Sequence, residues 1–160
     1  MEPVSLSLHE LAQHGLRILV AFALALPIAW EREVETRIMG LRTLPLVAVA
    51  CCAYILVGSA VVEDDPTAHG RLLSGLVAGI GFIGGGAILK SDGNVRGTAT
   101  AASILSTGIL GAAVAYGLFG IALLISVTTL ATLLLLRPLQ RRLAASREAR
   151  RDADGDHRAP

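Results

Sequence analysis

The sequence predicts an all-α fold, a polytopic membrane bundle of five transmembrane helices with its N-terminus outside and its C-terminus in the cytoplasm. Three observations carry this. The 160 residues are 53% hydrophobic and only 17% charged, with a mean hydropathy of +0.63, too apolar for a soluble domain this short. Five apolar runs, each near the roughly 20 residues that a helix needs to cross a bilayer, stand between charged breaks at about 16–30, 44–62, 72–89, 98–116 and 118–136. The basic residues alternate between connections. One side takes Arg32, Arg37, Arg42, Lys90, Arg96 and the arginine-rich segment from Arg137, while the other has only Arg17 and Arg71. Lys and Arg in short loops stay cytoplasmic, so the richer side is inside.

Each element has its own signals. The leader MEPVSLSLHE carries no Lys or Arg, and the first run enters Glu31-Arg32-Glu33 without a small-residue cleavage site, which argues against a removed signal peptide. Pro27 should kink that first span. Gly40 can end its helical extension, Thr43 can cap the second span, and Pro45 sits in the first turn, where a missing N–H does no harm. Asp65-Pro66 is a cap and first-turn pair for the third helix, which places Arg71 near its outer end. Asp92-Gly93-Asn94 is turn chemistry before the fourth span. The last two spans are separated only around Gly117 and Gly120, and Pro138 fits the end of the fifth. A four-span alternative with one kinked segment there spoils the charge alternation. Trp30 and Tyr116 fall at interfaces that favour amphipathic rings. The chain thus divides into a transmembrane domain, 1–136, and a basic, partly disordered cytoplasmic tail, 137–160.

Residues 79–84, GIGFIG, match the dinucleotide fingerprint G-x-G-x-x-G. They lie mid-way along an apolar run with no preceding strand, so nucleotide binding is rejected. Gly75, Gly79, Gly81, Gly84, Gly85 and Gly86 leave two readings open. The favoured one is a helix-packing seam, for which the fourth span offers Ala101, Ala102, Gly108, Gly111, Ala112 and Ala115. The other is a helix broken at Gly84 to Gly86 whose freed carbonyls line a path.

The chemistry-bearing residues cluster on the cytoplasmic side. Glu31, Arg32, Glu33, Arg37, Arg42, Thr43 and Arg96 form a polar cluster, with Glu33 and Arg37 at the i,i+4 spacing. Such charges usually only solvate a helix end; Glu31, however, adjoins the apolar run and could face Arg42 or Arg96 inside the bundle. Thr98, Thr100, Ser103, Ser106 and Thr107 could form a polar stripe, although hydroxyls also bond to their own helix. Asp65 and Arg71 mark the outer end. Arg137, Arg141 and Arg142 begin a basic stretch suited to anionic lipid. Cys51 and Cys52 are adjacent on a helix and diverge, His9, His14, His69 and His157 give no zinc spacing, and Glu63-Asp64-Asp65 lacks further ligands. Asp152, Asp154 and Asp156 resemble the start of a calcium loop that has no twelfth-position Glu. No metal, cofactor or nucleic-acid partner is expected, and no nucleophile–base pair supports an enzyme.

Taken in order, WEREVETRIMGLRT, then DP, then Arg71 eight residues before GIGFIGGGAILK, then VRGTATAAS, resemble the membrane domain of the MgtC/SapB family. The likeness covers most of residues 26–117. The chain departs from the family pattern at Ala29-Trp30, where a Gly is usual, at Gly75, where a Gln is frequent, and at Thr98-Ala99-Thr100, in place of Leu-Thr-Thr. The gap between Asp65-Pro66 and Arg71 is also about three residues longer than usual. The resemblance implies a multi-pass protein of the bacterial inner membrane, linked to growth at low magnesium, acid resistance and virulence. The family's biochemical activity is poorly defined; the residues themselves favour a non-enzymatic role through other membrane proteins or as an oligomer, with the glycine-rich faces as contact surfaces. A small cation transporter or channel is the alternative. Longer members append a soluble domain after the last helix, and functions that depend on it are expected to be absent here or supplied by another chain.

Overall fold

The computed structural model describes residues 7–36, 40–62, 65–91 and 94–156, with backbone alone at 89–91, 94 and 139–156. It contains five helices: α1 (Leu8–Thr36), α2 (Thr43–Val62), α3 (Pro66–Gly86), α4 (Thr98–Ala115) and α5 (Phe119–Asp156). Four of them are long and apolar enough to cross a membrane, α5 through its Phe119–Pro138 part. α3 has the length, at 21 residues, but its seven glycines dilute its hydropathy. The expected helix bundle is therefore present.

Local chemistry explains the boundaries. α1 starts well before its apolar run because Ser7 and Glu10 cap it reciprocally: Ser7 N donates to Glu10 Oε2 at 2.8 Å and Glu10 N to Ser7 Oγ at 3.3 Å. Asp65 caps α3 as expected, its Oδ1 accepting from Thr67 N at 2.8 Å ahead of Pro66. Pro138 ends the apolar span but not the helix, since α5 runs on to Asp156. Between α3 and α4 the chain forms a two-stranded antiparallel hairpin, β1 (Leu89–Ser91) and β2 (Asn94–Arg96), with Leu89 opposite Arg96. Gly97 then turns into α4 with φ +87°. An added Cβ there would meet the Ala87 carbonyl oxygen, so two separate constraints demand glycine.

α4 is the axis of the bundle. It packs against all four other helices, which follow one another around it in the order α3, α2, α1, α5, while α3 and α5 do not close the ring. Ile28, Leu44, Ile55, Ile104, Leu110 and Val114 fill the core. Two small residues of α4 allow the close approach. A Cβ on Gly111 would collide with the Ala48 carbonyl of α2, and one on Gly108 with Ile80 of α3. Arg17 Nη1 donates to Ala115 O at 2.8 Å, pinning α1 to the carbonyl end of α4, and Ser126 Oγ donates to Leu24 O at 2.7 Å, pinning α5 to α1.

The glycine seam expected on α3 is corrected by this packing. Only Gly84 lies on α4, against Ala101, and Gly75 approaches the Tyr54 hydroxyl of α2. Gly79, Gly81, Gly85 and Gly86 have nothing within 4 Å of an added Cβ. They face away from the bundle because Leu76 and Ile80, on the opposite side of α3, are the residues buried against it. Nor is the helix broken in mid-span. α3 is helical through Gly86 and closes at Ala87, whose N–H bonds to Gly84 O at 3.1 Å. Gly84 to Gly86 are its last turn.

Candidate functional site

A cavity of about 350 Å³ opens at one end of the bundle between α1, α4 and α5, within the size range of small-ligand pockets. Its walls are Arg32 and Glu35 from α1, Ser103 and Ser106 from α4, and Thr128, Thr129, Thr132 and Arg137 from α5, with Leu133 and Leu136 among the apolar remainder. A second cavity, lined by His14, Arg17, Ser59, His69 and Tyr116, lies at the opposite end. α1 and α4 contribute to both, so they run antiparallel. The basic residues Arg32 and Arg137 share the first end, as the alternation of charge in the sequence requires.

The first cavity is anchored by a buried ion pair. Glu31 and Arg32 are each only 5% exposed, and the guanidinium grips the neighbouring carboxylate with two bonds, Nε to Oε2 at 2.6 Å and Nη2 to Oε1 at 2.9 Å. Both carboxylate oxygens are thereby used. This settles the fate of the expected contact between Glu31 and Arg42 or Arg96: those two arginines are exposed, and the adjacent side chain takes the carboxylate instead. A second ion pair, Arg137 with Glu35, ties α5 to α1 across the cavity. Fork-like arginine bonding suits such sites because two parallel bonds fix orientation as well as charge.

The other expected residues separate into structural and cavity roles. Glu33 Oε2 accepts from Leu41 N at 3.1 Å and so fastens the connection to α2, while Thr43 is half-buried at the start of that helix. Arg37 lies outside the described residues. Of the hydroxyl stripe, Thr100, Ser103 and Thr107 are buried and Thr98 is exposed. Ser103 Oγ donates to Ala99 O at 2.8 Å, and Thr107 Oγ1 is enclosed without a hydrogen-bond partner. Asp65 acts as a helix cap; Arg71 is exposed at the far end. Arg137 belongs to the cavity wall, whereas the side chains of Arg141 and Arg142 lie outside the described residues.

Glu35, Thr128, Thr129 and Thr132 are cavity residues that reading the sequence missed. The signal existed. Glu35 stands three positions after Arg32 on the same helical face, and Thr128 and Thr132 are four apart on a run built mainly of aliphatic residues. Their hydroxyls bond back to their own helix, Thr128 to Leu124 O at 2.6 Å and Thr132 to Thr128 O at 2.8 Å. The site offers charge and hydroxyls in a setting that water can enter. Among the described residues, no group of three His, Cys, Asp or Glu converges to hold a metal ion.

A protein-family model, described as MgtC family, matches residues 18–142. The chain belongs to the MgtC family. Protein MgtC of Brucella abortus is 40% identical over 120 residues, covering 74% of this chain and 49% of that protein. Protein MgtC of Salmonella typhimurium is 36% identical over 128 residues, covering 80% and 54%. An uncharacterized protein of Synechocystis sp. is 37% identical over 124 residues, covering 78% and 52%. The chain therefore spans about half the length of these relatives. No solved structure matches it significantly. Family and apolar helices together make it a multi-pass membrane protein of the MgtC type. The match to the MgtC family model takes in both the Glu31–Arg32 pair and the cavity around it.

Proposed function

We propose that the protein works in the bacterial inner membrane, without catalysing a reaction, in magnesium or acid-stress homeostasis, and that it acts by contact with another membrane protein or with further copies of itself. The observation that carries this reading is the buried Glu31–Arg32 pair, whose Arg32 stands in the wall of a hydroxyl-lined cavity. Replacing a buried ion pair by apolar residues is often neutral or stabilising. A pair kept inside an apolar bundle is therefore better explained by function than by stability. The open face of α3, with Gly79, Gly81 and Gly85 unopposed, supplies a surface that another transmembrane helix could approach closely. Complementation of a deletion strain at low magnesium and at low pH tests the reading. The double variant Glu31→Leu/Arg32→Leu should insert and fold yet fail to complement, and normal growth would remove the cavity from the function.

A second reading, a small cation transporter or channel, draws on the presence of a polar cavity at each end of the α1–α4 contact. A path along a glycine-broken α3 has no support, because that helix is unbroken to Gly86. Purified protein in liposomes with magnesium- and proton-sensitive dyes decides between the two. Flux above empty liposomes that is lost in Thr107→Leu, between the cavities, would favour transport.

A further inference from the structure

The cavity opposite the charged one is formed where four helices end together. His14 and Arg17 come from the early turns of α1, Ser59 from late in α2, His69 from the first turns of α3, and Tyr116 from the end of α4. Its volume is about 510 Å³. These residues lie up to 102 positions apart in the chain and share one property, since each can present an N–H or O–H to a bound group. Among the described residues no carboxylate lines the cavity.

The side chains are held in place. Arg17 is fixed by its bond to Ala115 O, with further guanidinium N–H groups beyond the one that it uses there. The Tyr116 hydroxyl stands 3.5 Å from His69 Nδ1, and the two rings lie 6.2 Å apart at 54°. His14 is the exception. Its Nδ1 is shut off from solvent and has no hydrogen-bond partner, so Nε2 is the ring nitrogen that can donate to a bound group. A cation is a poor candidate beside the Arg17 guanidinium. An oxyanion suits it, because an always-charged guanidinium with N–H and O–H donors around it is the usual chemistry of phosphate recognition. The location fits too, as helix ends and Tyr116 mark the depth of lipid headgroups, and Leu56 and Ala60 in the same wall would meet glyceryl carbon.

We infer that this pocket binds a phosphate-type oxyanion, with Arg17 as the charge and His14, His69, Ser59 and Tyr116 as directing donors. The oxyanion is either the headgroup of an anionic lipid or free phosphate. The test uses the full chain in neutral detergent, with inorganic phosphate and short-chain phosphatidylglycerol as probes and diacylglycerol, which has no phosphate, as the control. Saturable binding of phosphatidylglycerol above diacylglycerol identifies the lipid, and saturable binding of inorganic phosphate alone identifies the free ion. In either case His14→Leu should weaken binding about tenfold, the loss of one hydrogen bond to a charged group. His14→Gln, which restores an N–H donor, should stay within about threefold of the parent. Tyr116→Phe removes a single hydroxyl and serves if His14→Leu does not fold. Failure of both probes to bind, or binding unchanged in the folded variants, overturns the proposal.

Discussion

At the scale of single residues, the charge pair and one glycine bear the most specific consequences. Glu31 and Arg32 satisfy each other, with Arg32 in a wall that also holds the Glu35–Arg137 pair, hydroxyls and aliphatic side chains. Removing one partner strands the other, so Glu31→Gln and Arg32→Gln should each destabilise the protein by about 3–5 kcal/mol. The double change Glu31→Leu/Arg32→Leu should recover most of that, since no buried charge remains unpaired. Thermal unfolding of the four proteins in one detergent gives the coupling, and additive losses would show that the pair does not form. Gly97 is constrained twice over, by φ +87° and by the Ala87 carbonyl. Gly97→Ala should therefore cost about 1–3 kcal/mol through backbone strain, with a lowered unfolding temperature as the readout. The sequence shows a Gly before the fourth span. It cannot show that the hairpin brings a carbonyl against it.

At the scale of elements, α3 and α4 exchange the roles that their composition suggests. The glycines of α3 are more numerous, yet the close contacts are made by Gly108 and Gly111 of α4. Gly111→Leu should drive α4 off the Ala48 carbonyl and cost about 1–3 kcal/mol or prevent folding. Gly85→Ala, with open space around it, should be neutral or stabilising by up to about 1 kcal/mol, because alanine loses less entropy in a helix. Comparing both by thermal unfolding checks the assignment, which equal losses would contradict. A small residue marks where a backbone can approach, but only the facing helix determines whether one does. The cap chemistry was legible at Asp65-Pro66, because it depends on neighbours within three residues. Ser7-x-x-Glu10 carries the same kind of signal.

At the scale of the whole molecule, α4 lies inside an arc of four helices open between α3 and α5, with a polar cavity at each end. The charge alternation predicts that the Arg32 end faces the cytoplasm. Single cysteines at Arg96 and at Asp65, in a background without Cys51 and Cys52, test this with an impermeant thiol reagent on intact cells. Label at the Asp65 position and protection at the Arg96 position are expected, and the reverse pattern would invert the protein in the membrane. The buried native thiols make their removal a mild change.

The sequence alone determined the class, the number of helices and the alternation of charge, because hydropathy and the placement of Lys and Arg act over runs of twenty residues and need no knowledge of neighbours. The family resemblance was likewise legible, since its motifs are contiguous. Only the tertiary structure decided that Arg32 and not Arg42 or Arg96 takes the Glu31 carboxylate, that Glu35 reaches Arg137 about a hundred residues away, and that His14 and His69 share one cavity. Those pairings follow from which faces of five helices meet around α4. Chain spacing does not encode that choice, because each helix could turn any of its sides inward until the core residues of its neighbours select one.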